Sequence, residues 1–148
     1  MIRITRQPLD PEKITSRLKL KVHGAVVTFA GTVRLYSEGK MVRMLEYEAF
    51  RPMALKKLKE IEAELRQKWK LEDVVIYHRL GRLDVGVASL FVAVASEHRQ
   101  DGFEACRQAV ELIKQKVPIW KKEHWVRGKP RWVRADSAWS VEIPAPKD

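Results

Sequence analysis

The sequence predicts an α+β fold with an antiparallel sheet, three main helices and a short C-terminal β segment. Two amphipathic helical segments, Arg51 to Trp69 and Gly102 to Val117, stand singly between β-rich stretches. Those stretches come in consecutive pairs: Val22 to Arg34 with Met41 to Phe50, and Val74 to His78 with Ala88 to Ser96. A doubly wound parallel sheet would alternate strand and helix one for one. The 148 residues are 45% apolar and 32% charged, which suits one globular domain spanning 1–148 and excludes a disordered chain.

Ile2 to Arg6 alternates like a short strand. Asp10 and Pro11 then open a helix, Asp as N-cap and Pro at the first helical position, running through Ile14 to Leu18 or Leu20. Val22 to Arg34 is rich in Val and Thr and reads as a strand that Gly24 and Gly31 weaken or bend. Ser37-Glu38-Gly39-Lys40 is a turn or mobile loop, and Met41 to Phe50 is the returning strand, so the two strands suggest a long hairpin. In Arg51 to Trp69, Leu55, Leu58, Ile61, Leu65 and Trp69 fall on one helical face. Val74 to His78 and Ala88 to Ser96 are strands around a Gly81–Gly86 turn region. The third helix is expected over Gly102 to Val117, with Asp101 as N-cap and Glu104 completing a capping-box pattern. Its apolar stripe is Phe103, Cys106, Val110, Ile113 and Val117, and Pro118 ends it. The tail from Ile119 to Ile143 carries Trp120, Trp125, Trp132 and Trp139 among basic residues and reads as short β structure with a frayed end.

Lys and Arg number 29 against 19 Asp and Glu, a formal net charge of +10. An excess of that size points to anionic partners. A single cysteine excludes an internal disulfide framework, a CxxC redox pair and a cysteine-built zinc site. The nucleotide fingerprints GxGxxG and GxxxxGK[ST] are absent, as are HExxH and GxSxG. His23, His78, His98 and His124 have no mutual metal-ligand spacing. No cofactor or metal is therefore expected. The run Leu90 to Ala95 is too short to span a bilayer, and the N-terminal segment lacks the apolar centre of a signal peptide. A soluble cytoplasmic protein with no membrane partner is the expectation.

Three local features can carry chemistry. Ser96-Glu97-His98-Arg99-Gln100-Asp101 lies at the start of the third helix, where free N–H groups and two cationic side chains suit an anion. The bland alternative is a surface ion pair at Arg99 beside a satisfied His98. Lys114, one turn after Val110, borders the buried stripe, where partial desolvation lowers a lysine pKa and fits it for acid–base work. Pro118 redirects the chain, and Trp120 offers an apolar wall beside the Lys121 ammonium; the alternative is a solvated basic helix end. Phe29 to Arg34 is a strand end where Gly31 permits close approach and Arg34 supplies a bidentate anion binder; ordinary sheet packing is its alternative. Cys106 lies on the apolar stripe and reads as a buried structural thiol.

These features occur in a familiar order: Gly24-Ala-Val-Val-Thr-Phe29-Ala-Gly31-Thr-Val-Arg34, Leu45-Glu-Tyr-Glu-Ala-Phe50, His78-Arg79-Leu-Gly81, Ser96-Glu-His98-Arg99, Lys114-Gln-Lys-Val-Pro118-Ile-Trp120-Lys121-Lys-Glu123 and Arg131-Trp132. From about residue 23 to 133 the chain resembles the large, catalytic subunit of molybdopterin synthase. The resemblance implies an α/β-hammerhead-type fold and a homodimer. Each protomer would bind a small ubiquitin-like sulfur-carrier subunit, making a heterotetramer. The carrier's C-terminal Gly-Gly thiocarboxylate would enter a pocket and, in two sulfur transfers, convert cyclic pyranopterin monophosphate into the dithiolene of molybdopterin. Lys114 and Lys121 match the family's catalytic lysines. Arg34, His98 and Arg99 match the pocket for the anionic pterin, and Phe29 matches its wall. A basic residue from the other protomer's C-terminal region completes the family pocket, and Arg134 is the candidate here. Gly86-Val87 departs from the Gly-acid pair of many relatives.

The rival expectation is a basic nucleic-acid-binding module, since high net charge and five Trp form its footprint. It requires basic and aromatic residues alternating on one exposed sheet face. The basic residues instead interleave with Glu along helices, so no nucleic-acid partner is expected.

Overall fold

The computed structural model describes residues 1–18 and 24–134. Its strands form two sheets. The four-stranded one runs β1 (Ile2–Thr5), β5 (Leu71–Arg79), β7 (Ala88–Ser96), β2 (Ala25–Thr32). The five-stranded one runs β3 (Tyr36–Ser37), β4 (Lys40–Ala49), β8 (Ile119–Trp125), β9 (Arg131–Arg134), with β6 (Gly81–Asp84) also on β4. The α+β class holds, with helices α1 (Pro11–Ser16), α2 (Arg51–Lys68) and α3 (Arg99–Lys116). The antiparallel expectation needs one amendment, because β1 runs parallel to β5.

The central strands β5 and β7 are covered on both faces, which accounts for their nearly unbroken apolar runs. Val74, Ile76, Val92 and Val94 join the core formed with α2 and α3. Val75, Tyr77, Phe91 and Ala93 join a smaller cluster with Ile14 and Leu18. The Asp10 carboxylate caps α1 by accepting the Lys13 N–H at 3.1 Å, as its sequence signal predicts. α2 buries Ala54, Leu58, Ile61 and Leu65, while Leu55 and Trp69 pack at its margin.

The predicted long hairpin does not form. β2 pairs with β7, and β4 pairs with β3, β6 and β8. A register shift at Gly31/Thr32 ends β2. Val33 is then held by Val87 and Gly86 through backbone bonds of 3.0 and 2.8 Å. The local hairpin is β3–β4, turned by Glu38 and Gly39 at φ 51° and 75°. The Gly81–Gly86 turn region contains β6: Gly81, at φ 93°, turns the chain from one sheet into the other.

α3 begins three residues before the expected start, with His98 at the N-cap and no side-chain cap bond. Glu104 accepts the Trp69 indole N–H at 3.1 Å instead of closing a capping box. The buried face is Gly102, Ala105, Cys106, Ala109, Leu112 and Ile113, and Phe103 is 63% exposed. Small residues cause this rotation. A Cβ at Gly102 would lie 2.9 Å from Ser96 Oγ and 3.0 Å from Val27, so glycine lets α3 lie low on the sheet. α1 ends at Ser16 with Arg17 as its C-cap, short of the expected Leu18 or Leu20. The strand start at Val22, His23 and the tail with Trp139 lie outside the described residues.

Candidate active site

The C-terminal end of α3 and the strand after it build the site. Val117 N–H closes the last turn on Ile113 O at 3.1 Å, and Pro118 stops the helix. β8 then runs antiparallel to β4, with Tyr47 opposite Lys121 and Leu45 opposite Glu123. Along β8, Ile119, Glu123 and Trp125 are buried, and strand alternation sends Lys121 the same way. Its side chain is only 15% exposed. Lys114, in the last turn of α3, and Arg34, beyond the end of β2, face the same space. The result is a cavity of about 250 Å³ where the two sheets meet, its apolar wall including Phe29, Leu90, Val117 and Ile119.

Beneath the cations lie buried polar groups. Glu123 pairs with Lys121 at 3.4 Å through Oε1, while Oε2 is buried without a hydrogen-bond partner among the described residues. Burial raises the Tyr47 pKa, an effect that Ser89 opposes. Ser89 donates to the Gly31 carbonyl at 3.3 Å. His78 packs edge-on against Tyr47 with centroids 5.3 Å apart. Its Nδ1 lies 2.9 Å from the Arg79 carbonyl, so that nitrogen carries the proton. Burial, opposed by that hydrogen bond and helped by Lys114, lowers the His78 pKa to about 4. The imidazole is therefore neutral at physiological pH.

The fold thus brings Lys114, Lys121, Arg34 and Phe29 to one cavity. His98 and Arg99 do not line it. They sit exposed at the start of α3, fifteen residues or about 22 Å of helix from Lys114. Glu97, beside His98, is paired with Lys70 at 3.2 Å, and that hydrogen bond lowers its pKa. Arg134 belongs to β9, opposite Trp120 in register, and its side chain lies outside the described residues. Trp120 does not flank Lys121 in the cavity, because adjacent strand residues point to opposite faces. Cys106 is buried, and desolvation pushes its thiol up to about 11. Tyr47, His78 and Glu123 stand in the ordered motifs but carry no predicted site role, and Ser89 stands in none of them. Glu123 also leaves a sign of chemistry, since it and Lys121 are the charges in the inward series whose other members are Ile119 and Trp125.

Among the described residues, no group of three or more His, Cys, Asp or Glu is placed to hold a metal ion. Among the same described residues no helix is long and apolar enough to cross a membrane. Trp125 is buried, while Trp69, Trp120 and Trp132 are partly buried, so these four offer no open stacking platform of the kind a nucleic-acid binder uses.

A family model described as MoaE protein matches residues 4–116. The chain belongs to the MoaE family. Named relatives include the molybdopterin synthase catalytic subunit of Bacillus subtilis, 45% identical over 73% of this chain and 69% of that protein. The human molybdopterin synthase catalytic subunit is 41% identical over 75% of this chain and 59% of that protein. Among solved structures, molybdopterin synthase from Staphylococcus aureus superposes with a TM-score of 0.82 at 41% identity, covering 88% of this chain and 94% of that one. A complex of subunits 1 and 2 of molybdopterin-converting factor from Helicobacter pylori shares the MoaE fold, with a TM-score of 0.73 at 18% identity over 93% of this chain and 91% of that one.

Proposed function

We propose that this chain is the catalytic subunit of a molybdopterin synthase. It would move two sulfur atoms from a small carrier's C-terminal thiocarboxylate to cyclic pyranopterin monophosphate. The observation that carries this reading is the convergence of Arg34, Lys114 and Lys121, from three separate elements, on one half-enclosed cavity. A thiocarboxylate and a phosphate are both anions. Arg34 and Lys114 are exposed at the mouth of the cavity and Lys121 is half-buried within it. Cations already in position lower the energy of such charges as they shift during reaction. Lys114, which lines the cavity, would act beside the reacting sulfur. Lys121, held by Glu123, positions or polarises the substrate. Cys106 has no part, because its thiol is buried and protonated. The net charge of +10 favours encounter with an acidic carrier.

His98 and Arg99 fit this reading only through a second copy. The span of α3 separates them from Lys114 of their own chain, so in a homodimer each cavity would draw its pterin-binding His98 and Arg99 from the partner protomer. Reconstitution with thiocarboxylated carrier and cyclic pterin, followed by the fluorescence of oxidised molybdopterin, tests both parts. Lys114→Ala is expected to lower turnover by about a hundredfold or more, the scale of losing a group that stabilises charge in the transition state. Full activity in that variant refutes its role. Mixing Lys114→Ala with Arg99→Ala under subunit exchange should restore activity, because one site of each mixed dimer is intact; no restoration refutes the shared site.

A further inference from the structure

The polar floor of the cavity contains a group whose presence packing does not explain. His78 continues the Val74 and Ile76 series on the face of β5 turned toward α3, and is 4% exposed at the cavity floor. A phenylalanine there would keep the edge-to-face contact with Tyr47 and avoid desolvating two ring nitrogens. The Arg79 carbonyl compensates one nitrogen only. Nδ1–H is committed to that carbonyl, so Nε2 is the polar atom the ring presents to anything entering, and it carries a lone pair.

The other groups of the cavity define what that lone pair is for. Arg34, Lys114 and Lys121 only donate hydrogen bonds. Glu123 Oε1 is engaged by Lys121, its Oε2 is buried away from the cavity surface, and Ser89 gives its proton to the Gly31 carbonyl. A purely anionic ligand satisfies the cations and has no use for an uncharged acceptor. A peptide tail ending in a carboxylate or thiocarboxylate needs both, because its N–H groups lose water on entry and require acceptors. We propose that His78 is a specificity-determining residue whose Nε2 accepts a backbone N–H of the Gly-Gly tail of the carrier, while the cations hold its anionic end. This rests on the sulfur-carrier reading above and adds a residue that reads the tail as a peptide.

The test compares two carriers, one native and one made by semisynthesis with the N–H of its last peptide bond replaced by an ester oxygen. Affinity for the full-length chain is measured by titration calorimetry. The ester carrier should bind wild type about tenfold more weakly, the scale of one hydrogen bond. In His78→Phe the two carriers should bind equally. His78→Gln, whose amide reaches the Nε2 position, should keep discrimination, and His78→Asn, whose amide falls at the Nδ1 position, should lose it. This pair also decides the matter if His78→Phe does not fold. Equal discrimination in wild type and His78→Asn overturns the proposal, as does a defect in His78→Phe confined to the KM of the cyclic pterin. Failure of native carrier to bind wild type overturns the sulfur-carrier reading and this proposal together. Native binding with no ester penalty overturns only the role of His78.

Discussion

Acidification should destabilise the fold through His78, and His78→Phe should remove that loss. In the folded chain the His78 pKa is about 4, against an ordinary value of 6.5. The unfolded chain therefore binds more protons between those two values, and stability falls as pH drops through 6.5 toward 4. Between about pH 7.5 and about pH 4.5 the two-pKa linkage relation gives a loss of about 2–3 kcal/mol from this one group. Other groups, including Glu97 with its lowered pKa, contribute to the acid response of both proteins, so the difference between wild type and variant isolates His78. At about pH 7.5 the variant loses a hydrogen bond but sheds the desolvation of an imidazole, and the two proteins should agree to within about 1 kcal/mol. Urea unfolding at both pH values, with m-values checked for constancy, measures this directly. Equal loss of stability in wild type and variant on acidification would show that His78 is not held neutral by burial.

Two further outcomes test the packing around the site. Gly102→Ala should cost about 1–3 kcal/mol, because the new methyl would press on Ser96 Oγ and Val27, and a chemical denaturation curve measures it. Cys106 should resist alkylation by iodoacetamide near neutral pH in the folded protein and react readily in denaturant, since burial keeps the thiol protonated. Rapid labelling of the native chain would contradict the placement of α3.

Local pattern alone determined much of this molecule. The helical spacing of Leu58, Ile61 and Leu65, the Asp10-Pro11 start and the Pro118 stop are short-range signals, and helices α1 and α2 begin where they say. Lys114, Lys121, Arg34 and Phe29 were identified through ordered motifs, and the cavity gathers all of them. Tertiary structure decided what depends on partners distant in sequence. Alternation marks β2 and β4 as strands but not their neighbours; the nonlocal pairing of β2 with β7 replaced the local hairpin that proximity suggested. Close approach at Gly102 turned α3 about its axis and exposed Phe103, a choice set by the surface beneath the helix. The length of α3 kept His98 and Arg99 away from Lys114, although the same helix carries them. His78 and Tyr47 belong to different sheets, and they became one polar floor because Gly81 turns the chain from the first sheet into the second. Side-chain periodicity is encoded within a few residues, whereas a cavity is enclosed by segments that meet only after the chain has folded.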